Sequence, residues 1–149
     1  MSEIVWLLIT FVFLNVLDGF TTWLGIYNLP EGLRGREMNV LFKDVEKKFW
    51  PAMIRKGALV LFGVWLFYSF ASPFTLRVFD LVLVVVVLDN SYVYLSRRIS
   101  GKRIRSPIDF SIQFFRELRL PERASRILGF YVLFGLVIVG CYFVVRAIS

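Results

Sequence analysis

Four stretches, residues 4–27, 52–70, 74–95 and 127–147, are long, apolar and only sparsely charged. A helix that crosses the ~30 Å hydrocarbon core of a bilayer needs about 20 such residues. Inside lipid every backbone N–H and C=O must be satisfied within the protein, and a helix does so by itself. This constraint sets the expected fold: an all-α integral membrane four-helix bundle, a single transmembrane domain over residues 1–149. Composition agrees, with 58% hydrophobic residues against 19% charged, and 16 Phe and 4 Trp to serve the core and its interfaces. Met1-Ser2-Glu3 lacks the basic n-region of a signal peptide, so the first stretch is expected to be a retained helix. Pro51 suits the first turn of the second helix. Ser72-Pro73 breaks the apolar run and predicts a tight hairpin of helices two and three.

The net charge of +7 is unevenly placed. Arg34, Arg36, Lys43, Lys47, Lys48, Arg55 and Lys56 lie in or beside the first long connection. Arg97, Arg98, Lys102, Arg103, Arg105, Arg116, Arg119, Arg123 and Arg126 lie in or beside the second. Only Arg77 and Arg146 fall at the opposite end, because four crossings put both connections on one side. The positive-inside rule then predicts a multi-pass protein of the cell membrane with both long loops cytoplasmic and both termini outside. The basic balance is therefore a topology signal, with anionic lipid headgroups as the expected contact of the loops. No nucleic-acid motif accompanies it, so nucleic acid is not an expected partner.

Each basic connection carries an amphipathic stretch, giving two expected cytoplasmic-side surface helices, about 38–49 and 107–120. In the first, Met38, Leu41, Phe42, Val45 and Phe49 keep helical spacing, and Asn39 is a candidate cap. In the second, Ser106-Pro107-Ile108-Asp109 reads as N-cap, N1 proline and acidic first turn, Ile108, Ile112, Phe115 and Leu118 form the stripe, and Pro121 ends it. Such helices either bind the membrane surface or only floor the bundle.

The chemistry-bearing feature is Asn15-Val16-Leu17-Asp18-Gly19-Phe20-Thr21-Thr22 inside the first apolar run. A carboxylate at the centre of a spanning helix costs roughly 2.5–3.5 kcal/mol on insertion scales. Asn15, Asp18 and Thr22 share one helix face, which should point at protein or water. Asp18, Lys56 and Asp89-Asn90 are each roughly 8–13 Å inside their helices at 1.5 Å per residue. They should meet in the inner half of the membrane, with Asp18–Lys56 or Asp89–Lys56 as the ion pair. Two carboxylates with one ammonium leave a spare negative charge for a proton, a cation, Arg55 or a substrate amine. Asp80, one turn from Arg77, is expected to form an interfacial salt bridge with it. Val16-Leu17-Asp18 and Val87-Leu88-Asp89 suggest a parallel two-helix repeat about an axis along the membrane normal. The lone Cys141 reads as a small apolar core residue. The absence of histidine removes the commonest general base and metal ligand.

The order Leu17-Asp18 with Thr22, then Glu37-x-Asn39, then Lys56, then a polar pair in helix three resembles an uncharacterised family of small prokaryotic four-helix membrane proteins. The loop motif of that family reads Glu-x-Asn-Pro; Val40 takes the proline position here, and the likeness covers residues 10 to 95. The resemblance implies that Asp18, Thr22, Glu37, Asn39 and Lys56 belong to one site, and it supplies no reaction. Read from the residues, Asp18, Glu37, Asn39 and Asp89 offer oxygen ligands suited to Mg²⁺ or Ca²⁺, or else cap helix ends and tie the loop down. No motif assigns a cofactor.

Three functions fit. The first choice is an accessory or scaffold subunit whose buried polar cluster (Asn15, Asp18, Thr22, Glu37, Asn39, Lys56, Asp89, Asn90) holds the helices together, its partner another membrane protein or a second copy. Interhelical polar contacts average only about 0.6 kcal/mol, yet they specify packing. The second is an intramembrane unit that binds or moves a cation, proton or polar solute. The third is a lipid-headgroup enzyme, for which no nucleophile–base pair, P-loop or zinc motif is present. A wet cavity reaching Asp18 would mark the second, and a dry, fully paired cluster the first.

Overall fold

A computed structural model describes residues 2–34 and 48–149. Among them, every regular element is helical: α1 (Glu3–Tyr27), a 3₁₀ turn (Glu31–Leu33), α2 (Phe49–Phe70), α3 (Pro73–Ser100), α4 (Pro107–Glu117) and α5 (Glu122–Ile148). α1, α2, α3 and α5 are each long and apolar enough to cross a membrane. The expected surface helix at 38–49 lies outside the described residues, except that Phe49 opens α2.

The helix ends follow local chemistry. α3 starts where Ser72 accepts a hydrogen bond from the Thr75 backbone N–H at 3.2 Å, with Pro73 at the first helical position. It outruns its apolar stretch because nothing breaks it before Gly101, which caps it in the left-handed region at φ 62°. Arg97 and Arg98 sit in its last turn, where the helix dipole favours cations. α4 begins with a full capping box between Ser106 and Asp109. It stops at Glu117, short of Pro121, because Arg119 turns to φ 61°. α5 begins directly after Pro121, five residues before its apolar run, as Glu122 bonds Arg126 at 2.6 Å and Arg116 at 2.9 Å.

α1 and α3 form the most extensive helix pair. They run parallel: Glu3 pairs with Arg77, Asn90 bonds Asp18, and Tyr94 bonds Asn28. α5 packs antiparallel on α3, with Val78 and Val82 against Cys141 and Val145, as expected of an apolar cysteine. α2 leans chiefly on α1, through Ile26, Ala52 and Met53, despite its two-residue link to α3. α4 docks on α5 at Gly129, where an added Cβ would sit 2.8–2.9 Å from Ile112 atoms, backbone included. Ser111 donates to the Gly129 carbonyl at 3.0 Å. Of the predicted α4 stripe, Ile112 is buried, Ile108 and Phe115 are half-buried and Leu118 is exposed; Leu118 joins Phe110 and Phe114 in an exposed apolar ridge.

One expected contact is absent. Asp80 does not pair with Arg77: the guanidinium turns to Glu3 and to Ser149, which brings both ends of the described chain together at the start of α3. One turn on, Asp80 points into the packed interior, 7% exposed, and neither carboxylate oxygen has a hydrogen-bond partner among the described residues.

Candidate functional site

The helix arrangement leaves a cavity of about 640 Å³ at the basic end of the molecule. α1 and α3 form its back, α2 and α5 its side walls, and Ile108 and Asp109 of α4 close one end. α1 contributes one stripe at helical spacing, Phe11, Asn15, Asp18, Thr22 and Ile26, and Leu29 follows just past its end. This is the face on which the sequence placed its polar residues.

At the deep end the Asp18 carboxylate joins three helices. Lys56 of α2 forms an ion pair with Oδ2, and Asn90 of α3 donates its Nδ2 to Oδ1 at 2.9 Å. Both charged side chains are mostly buried, at 16% and 18% exposure, so each needs the other. Asn15 donates its amide to the Phe11 carbonyl at 2.9 Å, and Thr21 its hydroxyl to the Asp18 carbonyl at 3.1 Å. Thr22 lines the cavity beside them. Of the two expected ion pairs, Asp18–Lys56 is the one formed.

Asp89 also lines the cavity, yet it makes no hydrogen bond or ion pair among the described residues. Its neighbour Asn90 takes the contact with α1, so the two Val-Leu-Asp triplets end differently. Asp18 faces a cation, while Asp89 lies on the face of α3 that carries Val78 and Val82, one heptad beyond Val82. Arg55 is exposed on α2 and does not line the cavity.

The rim nearest the basic connections holds groups that the sequence does not assign to the site: Tyr94, Arg97, Arg103 and Asp109. Arg97 is buried and donates to the Ile104 carbonyl from Nε and Nη2, at 3.2 and 3.0 Å. Asp109 spends Oδ2 on the Ser106 backbone and hydroxyl, at 3.0 and 3.2 Å, and still acts electrostatically on both Asp89 and Arg97. A capping-box signature conceals such a role, because the cap alone explains the residue. Spacing was the available signal: Asp89, Val93 and Arg97 recur every four residues and share a face.

Glu37 and Asn39, expected to close the site, lie outside the described residues. Among the described residues no three acidic, histidine or cysteine side chains converge as metal ligands. Asp18 and Asp89 alone do not make the oxygen shell that Mg²⁺ or Ca²⁺ requires. The chain matches no known protein family, curated protein or solved structure.

Proposed function

We propose that this is a multi-pass membrane protein that binds a solute within the membrane, at the cavity between α2 and α5, and that Asp18, Lys56, Asp89 and Asn90 form its polar end. One observation carries the reading: the cavity reaches the ionic cluster and exposes in Asp89 a carboxylate with no partner among the described residues. A cluster serving only as helix glue needs neither the space nor the spare charge. Ionisable residues in spanning helices by default mark such pathways. In this reading both long connections are cytoplasmic, as their charge requires, and the termini are outside. The exposed ridge of Phe110, Phe114 and Leu118, beside Arg105 and Arg116, suits α4 to the inner membrane surface.

Water access tests the reading. In a Cys141→Ala parent, Val86→Cys on the cavity wall is expected to react with a charged, membrane-impermeant thiol reagent. Val82→Cys, in the packed α3–α5 seam, is expected not to react. Equal protection of both would discard the cavity as a binding site.

The scaffold reading keeps one observation in its favour. Ala52 is the one buried residue of α2, while Trp50, Ile54, Leu61, Phe62, Trp65 and Phe70 are exposed. That face suits lipid, another membrane protein or a second copy. Cross-linking from Leu61→Cys in native membranes separates these outcomes.

A further inference from the structure

The nature of the solute follows from what surrounds Asp89, given the cavity reading proposed above. Val78 and Val82 of α3 pack against Cys141 and Val145 of the antiparallel α5. One heptad farther along α3 is Asp89, and one heptad back along α5 from Cys141 is Phe134. At that level Phe134 packs against the end of the seam and also faces the cavity. Phe130 and Tyr131 line it as well. Phe130 and Phe134 stack with ring centroids 5.8 Å apart, which gives the α5 wall a continuous aromatic surface. Leu83, Val86, Leu133 and Val137 add apolar lining to the same cavity.

Charge decides what such a cavity accepts. Lys56 is paired with Asp18, while Arg97 and Arg103 lie at the rim with Asp109. None of the described cations lies within ion-pair distance of Asp89. Away from the rim, the cavity therefore holds one carboxylate, Asp89, with no cation beside it among the described residues, set between apolar and aromatic walls. An anion would be repelled there. The described residues alone would not give a hard metal ion its oxygen shell. A small hydrated cation would forgo most of the apolar contact. A cation whose charge is spread over an apolar body satisfies both features at once, since aromatic faces attract cations and walls and body exclude water together. The volume lies within the ~300–1,000 Å³ usual for sites of drug-sized ligands.

We infer that the cavity is a site for a lipophilic organic cation, held electrostatically by Asp89 and packed against the Phe130–Phe134 wall. Asp18–Lys56 then acts as a fixed, internally neutral part of the site, so a bound ligand need displace no ion pair.

The test uses two probes of the same shape and opposite charge, tetraphenylphosphonium and tetraphenylborate, titrated by calorimetry into the full-length protein in detergent. Tetraphenylphosphonium is expected to bind and to protect Val86→Cys from thiol labelling. Tetraphenylborate is expected to do neither. Asp89→Asn should weaken phosphonium binding at least about tenfold, a loss of ~1.4 kcal/mol, and Phe134→Leu should weaken it several-fold. Equal binding of the two probes, unchanged affinity in Asp89→Asn, or no phosphonium binding overturns the inference. If Asp89→Asn does not fold, the comparison of probes on the unaltered protein still decides. Failure of the two readings is distinguishable: absence of phosphonium binding with Val86→Cys still labelled removes only the cation, whereas loss of labelling removes the cavity as well.

Discussion

Two aspartates nine residues apart on α3 have opposite surroundings. Asp80 is buried in the half of the molecule where the chain ends meet, and neither of its oxygens has a partner among the described residues. Asp89 stands at the cavity in the basic half, also unpaired but with open space before it. In the first half α5 lies directly on α3 through small residues, Val78, Val82, Cys141 and Val145. In the second, large aromatic residues on α5, helix α4 and the lean of α2 towards α1 hold the walls apart. The same residue type is thus a packing defect at one level and a binding group at the other. What separates the two is whether the neighbouring helices can close.

The largest effect is expected where the two halves are joined, at the ion pair. Lys56→Met leaves the Asp18 carboxylate with Asn90 alone and should lower stability in detergent by about 3 kcal/mol, the usual cost of breaking a buried pair from one side. Asp18→Asn should cost less, because an amide still accepts from Asn90. The double variant Asp18→Asn/Lys56→Met should recover part of the loss. Melting temperatures read all three, and unchanged values in both single variants would remove the ionic cluster as a structural element.

Next comes the floor of the cavity half. Gly129→Val places a branched side chain against Ile112 and should displace α4, costing about 1–3 kcal/mol as overpacking does. Limited proteolysis after Arg105 and Arg116 should become faster. If cleavage is unchanged, α4 does not depend on the close contact with α5 and the cavity has no fixed floor.

The dry half offers the opposite sign. Asp80→Leu, which keeps the branching at Cγ, removes a buried polar group with no partner among the described residues. It is expected to raise stability by about 1 kcal/mol, since an unsatisfied buried group costs about that much or more. A clear fall in melting temperature would mean that Asp80 has a partner in the membrane.

Much of this was legible in the sequence, for identifiable reasons. Four spans follow from hydrophobic length, and the Asn15–Asp18–Thr22 face follows from helical periodicity. The meeting of Asp18 with Lys56 follows from the cost of leaving either alone in an apolar run. The sequence pairs Asp80 with Arg77, its neighbour one turn away, and the fold does not. Glu3 is nearer to that guanidinium in space, which only the parallel packing of α1 on α3 reveals. Asp109 and Arg97 do not read as site residues in the sequence, because a helix cap and a basic connection already account for them. The cavity could not be read at all, because it depends on how far α2 and α5 stand apart.

The smallest stability effect discriminates most sharply. Asp89→Asn removes no ion pair and no hydrogen bond among the described residues, and its side chain borders open space. Its melting temperature should lie within about 0.5 kcal/mol of the unaltered protein, as for substitutions that break no specific contact. Asp18→Asn, in the same cluster and with the same chemistry, should not be so mild. A pair of variants that differ this way separates a carboxylate that holds helices from one that waits for a ligand. If both are equally destabilising, Asp89 belongs to the framework and the spare charge is neutralised within the bundle. If Asp89→Asn alone is silent in stability, that carboxylate is dispensable to the fold, and its insertion cost is explained only by what it binds.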